Sequence, residues 1–116
     1  MAVPLPPDRA RAVAAARFRA LGDETRLRLL EHLTAGERNV GELMDITGLG
    51  QSLISHHLRA LRQAGLVRPR RDGRWVYYSI AEQALTATRL IIYELEPLRS
   101  EHPRTSAIVA PSSVPS

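Results

Sequence analysis

Apolar residues recur at helical spacing in four successive segments that occupy about the first half of the chain, as far as Gly65. Residues that cap helix N-termini precede the first three segments, namely Asp8, Asp23 and Asn39, and Gly50 precedes the fourth. Glycines stand where each segment ends, at Gly22, Gly36, Gly48 and Gly65. Glu42 follows Asn39 by three residues, which is the spacing of a capping box. The pattern predicts four helices, of which the third has only about two turns.

The fourth segment has one apolar side and one polar side. At 100° per residue, the predicted buried side contains Ile54, His57, Leu58 and Leu61. The opposite side contains Ser52, His56, Arg59 and Gln63, with Ser55 and Arg62 at its margins. We expect His57 to be a partly buried, hydrogen-bonded packing residue, and the polar side to face outward.

A strand pattern follows Gly65. The runs LVRPRR and RWVYYSI flank Asp72-Gly73, which predicts a two-residue type I′ hairpin. Pro69 favours an edge position for the first strand, so the hairpin is predicted to stand alone as two strands. The aromatic residues Trp75, Tyr77 and Tyr78 are interpreted as packing residues of this hairpin and the core.

The segment AEQALTATRLIIYELEPLRSE predicts a last helix that is apolar on two faces. One face carries Ala84, Thr88, Ile91, Leu95 and Leu98, and the other carries Leu85 and Ile92. Pro97 is expected to kink or end the helix. A helix that is apolar on two sides needs two covers, and a second copy of the chain is the simplest second cover.

Composition at the two ends sets the predicted domain boundaries. The start contains three prolines in AVPLPP, and the end, HPRTSAIVAPSSVPS, is rich in proline and serine. We predict a disordered arm at 1–7, one folded domain at 8–101 and a disordered tail at 102–116.

Charge and cysteine content narrow the functions. The net charge is +4, and all sixteen basic residues are arginine, although a GC-rich genome would explain much of that bias. Residues 51–76 contain six arginines and one acidic residue, Asp72, for a net charge of +5. The absence of cysteine excludes thiol catalysis, disulfides and thiolate metal sites. No apolar run is long enough to cross a membrane and no secretory signal is present, so a cytoplasmic protein without membrane contact is expected.

The order of these elements predicts a mostly α fold with a small β-hairpin, a winged helix-turn-helix. The fourth helix would enter the major groove of double-stranded DNA, and the hairpin, or wing, would reach the neighbouring minor groove or its phosphates. The predicted DNA-binding residues are Gln51, Ser52, Ser55, His56, Arg59, Arg62, Arg70, Arg71 and Arg74. An enzyme is not expected, because no nucleophile–base pair or Gly-rich phosphate loop is present.

Three stretches, ALGDETRLRLLEHL, GERNVGELMDITGLGQSLISHHLRALRQAGLV and RRDGRWVYYSI, resemble the ArsR/SmtB family of bacterial metal-responsive repressors over about residues 12–98. The resemblance implies a homodimer built from the first and last helices. It also implies binding to an operator of dyad symmetry, with transcription blocked until an effector acts.

The metal sites of that family are not matched here. Its arsenic- and cadmium-type sensors resemble this chain except that cysteines stand where Asn39 and Gly41 stand here. Its zinc-, cobalt- and nickel-type sensors use Asp and His where this chain has Glu82, Ala84, Leu95 and Leu98. We therefore predict no metal site and no cofactor, with the effector unknown.

Two alternatives remain open at this point. One is an oxygen- and nitrogen-ligand site for nickel, cobalt or zinc across a dimer, built from Glu94, Glu96, Glu101 and His102. The other is a regulator whose sensing is supplied by a protein partner.

Overall fold

The computed structural model describes residues 7–97, which form five helices and a three-stranded antiparallel sheet. The helices are α1 (Pro7–Leu21), α2 (Glu24–Leu33), α3 (Val40–Thr47), α4 (Gln51–Gln63) and α5 (Glu82–Leu95). The strands are β1 (Arg38–Asn39), β2 (Val67–Asp72) and β3 (Trp75–Ile80). The winged helix-turn-helix is confirmed. The ends of the chain, residues 1–6 and 98–116, and with them most of the predicted arm and tail, lie outside the described residues.

Local capping chemistry decides where α2 and α3 begin. The Asp23 side chain accepts a hydrogen bond from the Arg26 backbone N–H at 3.0 Å. Asn39 and Glu42 form the predicted capping box, with reciprocal bonds of 2.8 and 2.9 Å. Gly48 ends α3 in the left-handed conformation, at φ 75°, which a residue with a Cβ adopts reluctantly.

The prediction for the start of α1 was wrong. Asp8 lies within its first turn rather than at the N-cap, and it pairs with Arg11 at 3.1 Å. Pro7 is already helical, as suits a residue that needs no N–H donor in the first turn. Arg17 is half-buried, and its Nε donates to the Ala64 carbonyl at the end of α4.

The predicted isolated hairpin is corrected by β1, which pairs with β3 on the side opposite β2. The edge position of the Pro69 strand is confirmed. The turn was also predicted one residue too early, because Asp72 pairs with Trp75 and leaves Gly73-Arg74 between the strands. Gly73 has φ +61°, so glycine is needed at this first loop position. Arg74 therefore occupies the tip of the wing.

Two connected hydrophobic clusters hold the helices against the sheet. One is centred on α3 and α4 and contains Leu29, Leu43, Ile54 and Leu58, all fully buried. The other joins the end of α4 to the start of α5 and includes Leu61, Leu66 and Ala84. Tyr78 packs against both, as its predicted packing role requires.

The last helix ends just before Pro97, as predicted. It ends at Leu95, and Glu96 is extended, the conformation that a residue before proline favours. Ala84 and Thr88 are buried and Leu85 packs against the core, so the first half of α5 is covered by its own chain. The second half is not: its exposed apolar residues are Leu90, Ile91, Ile92 and Leu95. Within residues 7–97, no helix is long and apolar enough to cross a membrane.

Candidate DNA-binding surface

The inner side of α4 is fixed by burial. Ile54, Leu58 and Leu61 have no exposed surface, and His57 is only 7% exposed. These are the four residues that the periodicity predicted. Since one side of α4 is packed on the core, its opposite side can only face solvent.

The outer side of α4 carries the predicted polar residues. Ser55 is half-buried at the margin of this side. Five further predicted residues are exposed, namely Gln51, Ser52, His56, Arg59 and Arg62. Gly50 caps α4 without a side-chain hydrogen bond. The backbone N–H groups of the first turn therefore remain available to an external acceptor.

His57 connects α4 to the start of α2. Arg26 Nε donates to His57 Nδ1 at 3.1 Å, which places the imidazole proton on Nε2. Asp23 Oδ1 lies 3.9 Å from the same nitrogen, too far for a hydrogen bond. Burial lowers the pKa of His57, and the nearby Arg26 and His56 lower it further, against the opposing charge of Asp23. His57 is thus a buried, hydrogen-bonded packing residue, as predicted, and its hydrogen bond with Arg26 connects α4 to α2.

Thr47 fixes the turn between α3 and α4. Its hydroxyl donates to the Leu43 carbonyl at 2.7 Å and accepts from the Leu49 N–H at 3.1 Å. Arg28 Nη2 on α2 donates to the Thr47 carbonyl at 3.0 Å. The turn is therefore bonded to its own helix and to α2, which holds α3 and α4 in a fixed relation.

The sheet register separates the wing arginines. Cross-strand partners share a face, and Arg71 pairs with Val76 on the face that also carries Tyr78 and Ile80, which pack on the helices. Arg70 pairs with Tyr77 on the opposite face. Arg71 and Arg74 are exposed.

Arg70 is exposed but already occupied. It makes two hydrogen bonds to the Glu37 carboxylate, its guanidinium carbon lies 5.1 Å from the centre of the Tyr77 ring, and Asp72 lies 3.9 Å away. The hydrogen bond from Arg70 lowers the pKa of Glu37, so this carboxylate stays charged at neutral pH. The sequence analysis missed Glu37, because it lies 33 residues from Arg70 and no local pattern links them.

The comparisons with known proteins agree with this geometry. The family model described as "Bacterial regulatory protein, arsR family" matches residues 23–68, from the N-cap of α2 into β2. The nodulation protein NolR of Rhizobium meliloti is 39% identical over 84 residues, covering 71% of this chain and 69% of its own length. The chain belongs to the ArsR family.

Further relatives have regulatory names. A probable mercury resistance operon repressor of Streptomyces lividans is 43% identical over 65 residues, which are 56% of this chain. The chain spans only 52% of the length of that relative. The solved structure of an ArsR-like transcriptional regulator from Rhodococcus sp. RHA1 has a TM-score of 0.69 and 29% identity, over 73% of this chain and 80% of its own. The expectation that the chain is not an enzyme agrees with these names.

The side chains at the positions of the ArsR-family cysteine metal site do not suit a metal ion. Asn39, at one cysteine position, spends its side-chain oxygen on the cap of α3, and Gly41, at the other, has no side chain. Within residues 7–97 no group of three or more His, Asp or Glu residues is placed to hold a metal ion. Glu101 and His102, named for the oxygen- and nitrogen-ligand alternative, lie outside the described residues.

Proposed function

We propose that this ArsR-family chain is a transcriptional repressor that binds double-stranded DNA as a homodimer, with α4 in the major groove. The observation that carries the proposal is the division of α4 between four buried residues and an exposed polar side. Helices dock in the major groove in this way, and serine, histidine, glutamine and arginine can all reach base edges from it. The predicted set from Gln51 to Arg62 is proposed to contact bases and the adjacent phosphates.

The wing supplies a second contact. Arg71 and Arg74 are exposed, and neither forms an ion pair within residues 7–97. We assign them to the phosphate backbone or the minor groove, where arginine binds strongly. Arg70, the third predicted wing residue, is proposed to contribute less than its neighbours because Glu37 already balances its charge.

The second copy is proposed to cover the exposed half of α5. Leu90 and Ile92 are 50% and 53% exposed, and Leu95 is 76% exposed. A groove of about 200 Å³ between α1 and α5, lined by Val13, Ala14 and Ile91 among others, adjoins this apolar surface. An apolar surface of this kind on a DNA-binding protein fits a two-fold dimer, whose operator then has dyad symmetry.

Selection from a library of random duplexes tests the proposal. The protein is expected to enrich an inverted repeat whose half-sites are separated by about one helical turn, or a multiple of it. The same selection with the Arg59→Ala variant is the control. Its consensus should be less defined within each half-site, with the same spacing between the half-sites. Failure of the unmodified protein to retain any duplex at low salt overturns the proposal, and enrichment of a single unrepeated site overturns its dimeric part.

A further inference from the structure

Trp75 is a large aromatic residue without a place in the core. It is 47% exposed and belongs to neither hydrophobic cluster, unlike Tyr78 three residues later. Trp75 therefore has no packing role in the core, and its contact lies within the hairpin. Arg74 forms a cation–π contact with Trp75: its guanidinium carbon lies 5.2 Å from the centre of the Trp75 ring.

Trp75 and Arg74 line an open cleft between the wing and the two helices of the helix-turn-helix. The cleft has a volume of about 420 Å³. Its other walls come from the first turns of α3 and from Gln51, the first residue of α4. The nine lining residues are Asn39, Val40, Gly41, Met44, Gln51, Arg74, Trp75, Val76 and Tyr78.

The chemistry of the cleft suits an anionic, elongated ligand. No lining residue is acidic, Arg74 is its single cation, and Asn39 and Gln51 add amides. Sites for small molecules bury most of the ligand, whereas this cleft is only partly enclosed. If α4 enters the major groove and the wing tip reaches the next groove, the strand that separates these grooves must pass between α4 and the wing.

We propose that this cleft binds the sugar–phosphate backbone of one DNA strand, and that Trp75 is a positioning residue that holds the Arg74 guanidinium for a phosphate. The inference rests on the proposed function. Gly73, at φ +61°, sets the turn that presents Arg74, and the indole restricts where the guanidinium can point. Arg70 has the same kind of aromatic partner in Tyr77 but is bound to Glu37, so Arg74 is the wing arginine with an aromatic partner and a free charge.

The emission of Trp75 tests the first half of the proposal, because Trp75 is the only tryptophan of the chain. The full chain is titrated with a mixed-sequence duplex of about 30 base pairs, long enough for two half-sites. Binding is followed separately by the anisotropy of a dye on the DNA. We expect the Trp75 emission to change in intensity or wavelength in parallel with the anisotropy. If the Trp75 emission is unchanged when the anisotropy shows that all of the DNA is bound, the backbone does not occupy the cleft, and the proposed function is unaffected. An unchanged anisotropy overturns both.

A double-mutant cycle tests the positioning role. Trp75→Ala is expected to weaken DNA binding about two- to fivefold, the range of an exposed cation–π contact, while Trp75→Phe retains most of the affinity. In an Arg74→Ala background the Trp75→Ala change should have no further effect. Equal losses in both backgrounds would show that Trp75 acts independently of Arg74 and would overturn the positioning role. Circular dichroism of each variant confirms that the wing change leaves the helices folded.

Discussion

Arg70 and Glu37 form a two-point ion pair in which Nε lies 3.1 Å from Oε2 and Nη2 lies 2.5 Å from Oε1. Arg71, the next residue, has no such partner within residues 7–97 and lies on the other face of the sheet. Two adjacent arginines with the same formal charge therefore have different capacities for a phosphate. The ion pair is partly exposed, so it contributes little to the stability of the fold. Its main effect is that the Arg70 guanidinium is less available to a DNA phosphate.

The first prediction follows from this difference. Arg71→Ala is expected to weaken binding to every duplex sequence and to reduce the slope of log affinity against log salt by about one for each chain of the dimer. The double change Arg70→Ala with Glu37→Ala is expected to reduce both quantities less, because it removes the ion pair without changing the net charge of the wing. Anisotropy titrations at several salt concentrations measure both. Equal slopes for the two variants would contradict the assignment of free and occupied arginines.

The second prediction concerns pH. Because the folded pKa of His57 lies below its ordinary value of 6.5, the unfolded chain binds the proton more tightly. The stability contributed by neutral His57 is fully present above about pH 6.5. It is lost as the pH falls from 6.5 to the lower pKa of the folded state. Urea unfolding at about pH 8 and about pH 5.5 should show this loss before most carboxylates titrate.

His57→Asn is the matched variant for that measurement. Its amide oxygen can accept from Arg26 Nε, but it does not titrate. The variant is expected to lose some stability at all pH values and to show a smaller decline between the two. An identical decline in both proteins would assign the pH dependence to other groups.

The third prediction tests the packing that orients α4. Leu58 of α4 is fully buried in the cluster with Leu29 and Leu43. Leu58→Ala should therefore lower the free energy of unfolding by about 2–5 kcal/mol. Leu53 lies on the same helix but is 42% exposed, and Leu53→Ala should change it by less than about 1 kcal/mol. Thermal unfolding followed by circular dichroism compares them. Similar losses at both positions would mean that α4 is not seated as described.

The fourth prediction concerns the proposed dimer. Ile92→Glu places a charge on the exposed apolar half of α5 and is expected to shift sedimentation from dimer to monomer. Gln83→Glu adds the same charge on the exposed side of the covered half of α5 and should leave the assembly unchanged. A dimer that survives Ile92→Glu would move the interface away from this surface. Helical content by circular dichroism should be the same for both variants.

Local chemistry made much of the fold predictable. The capping box of Asn39 and Glu42 acts over three residues, and the inner side of α4 follows from its periodicity, so both were confirmed. Strand β1 has only two residues and therefore no periodicity, and it exists because the backbone of Arg38 and Asn39 pairs with β3. The turn shifted by one residue because register depends on the whole hairpin, which one dipeptide does not determine.

The surface was predictable only in part. Exposure of Arg59 and its neighbours on α4 follows from the position of the buried residues. The state of Arg70 does not, because it depends on Glu37, a distant residue brought close by the α2–β1 connection. The exposure of Trp75 was not predictable for a related reason: strand patterns place aromatic residues on a face but cannot tell whether that face is covered.

The affinity of Arg59→Ala for a selected inverted-repeat duplex tests the central claim most directly, with Arg9→Ala as the control. Both changes remove one exposed arginine, but Arg59 lies on the outer side of α4 and Arg9 lies in α1. At fixed salt we predict a loss of more than about tenfold for Arg59→Ala, because the dimer loses one good base contact in each half-site, and less than about twofold for Arg9→Ala. Equal affinities for the two variants would contradict the claim that the outer side of α4 reads DNA.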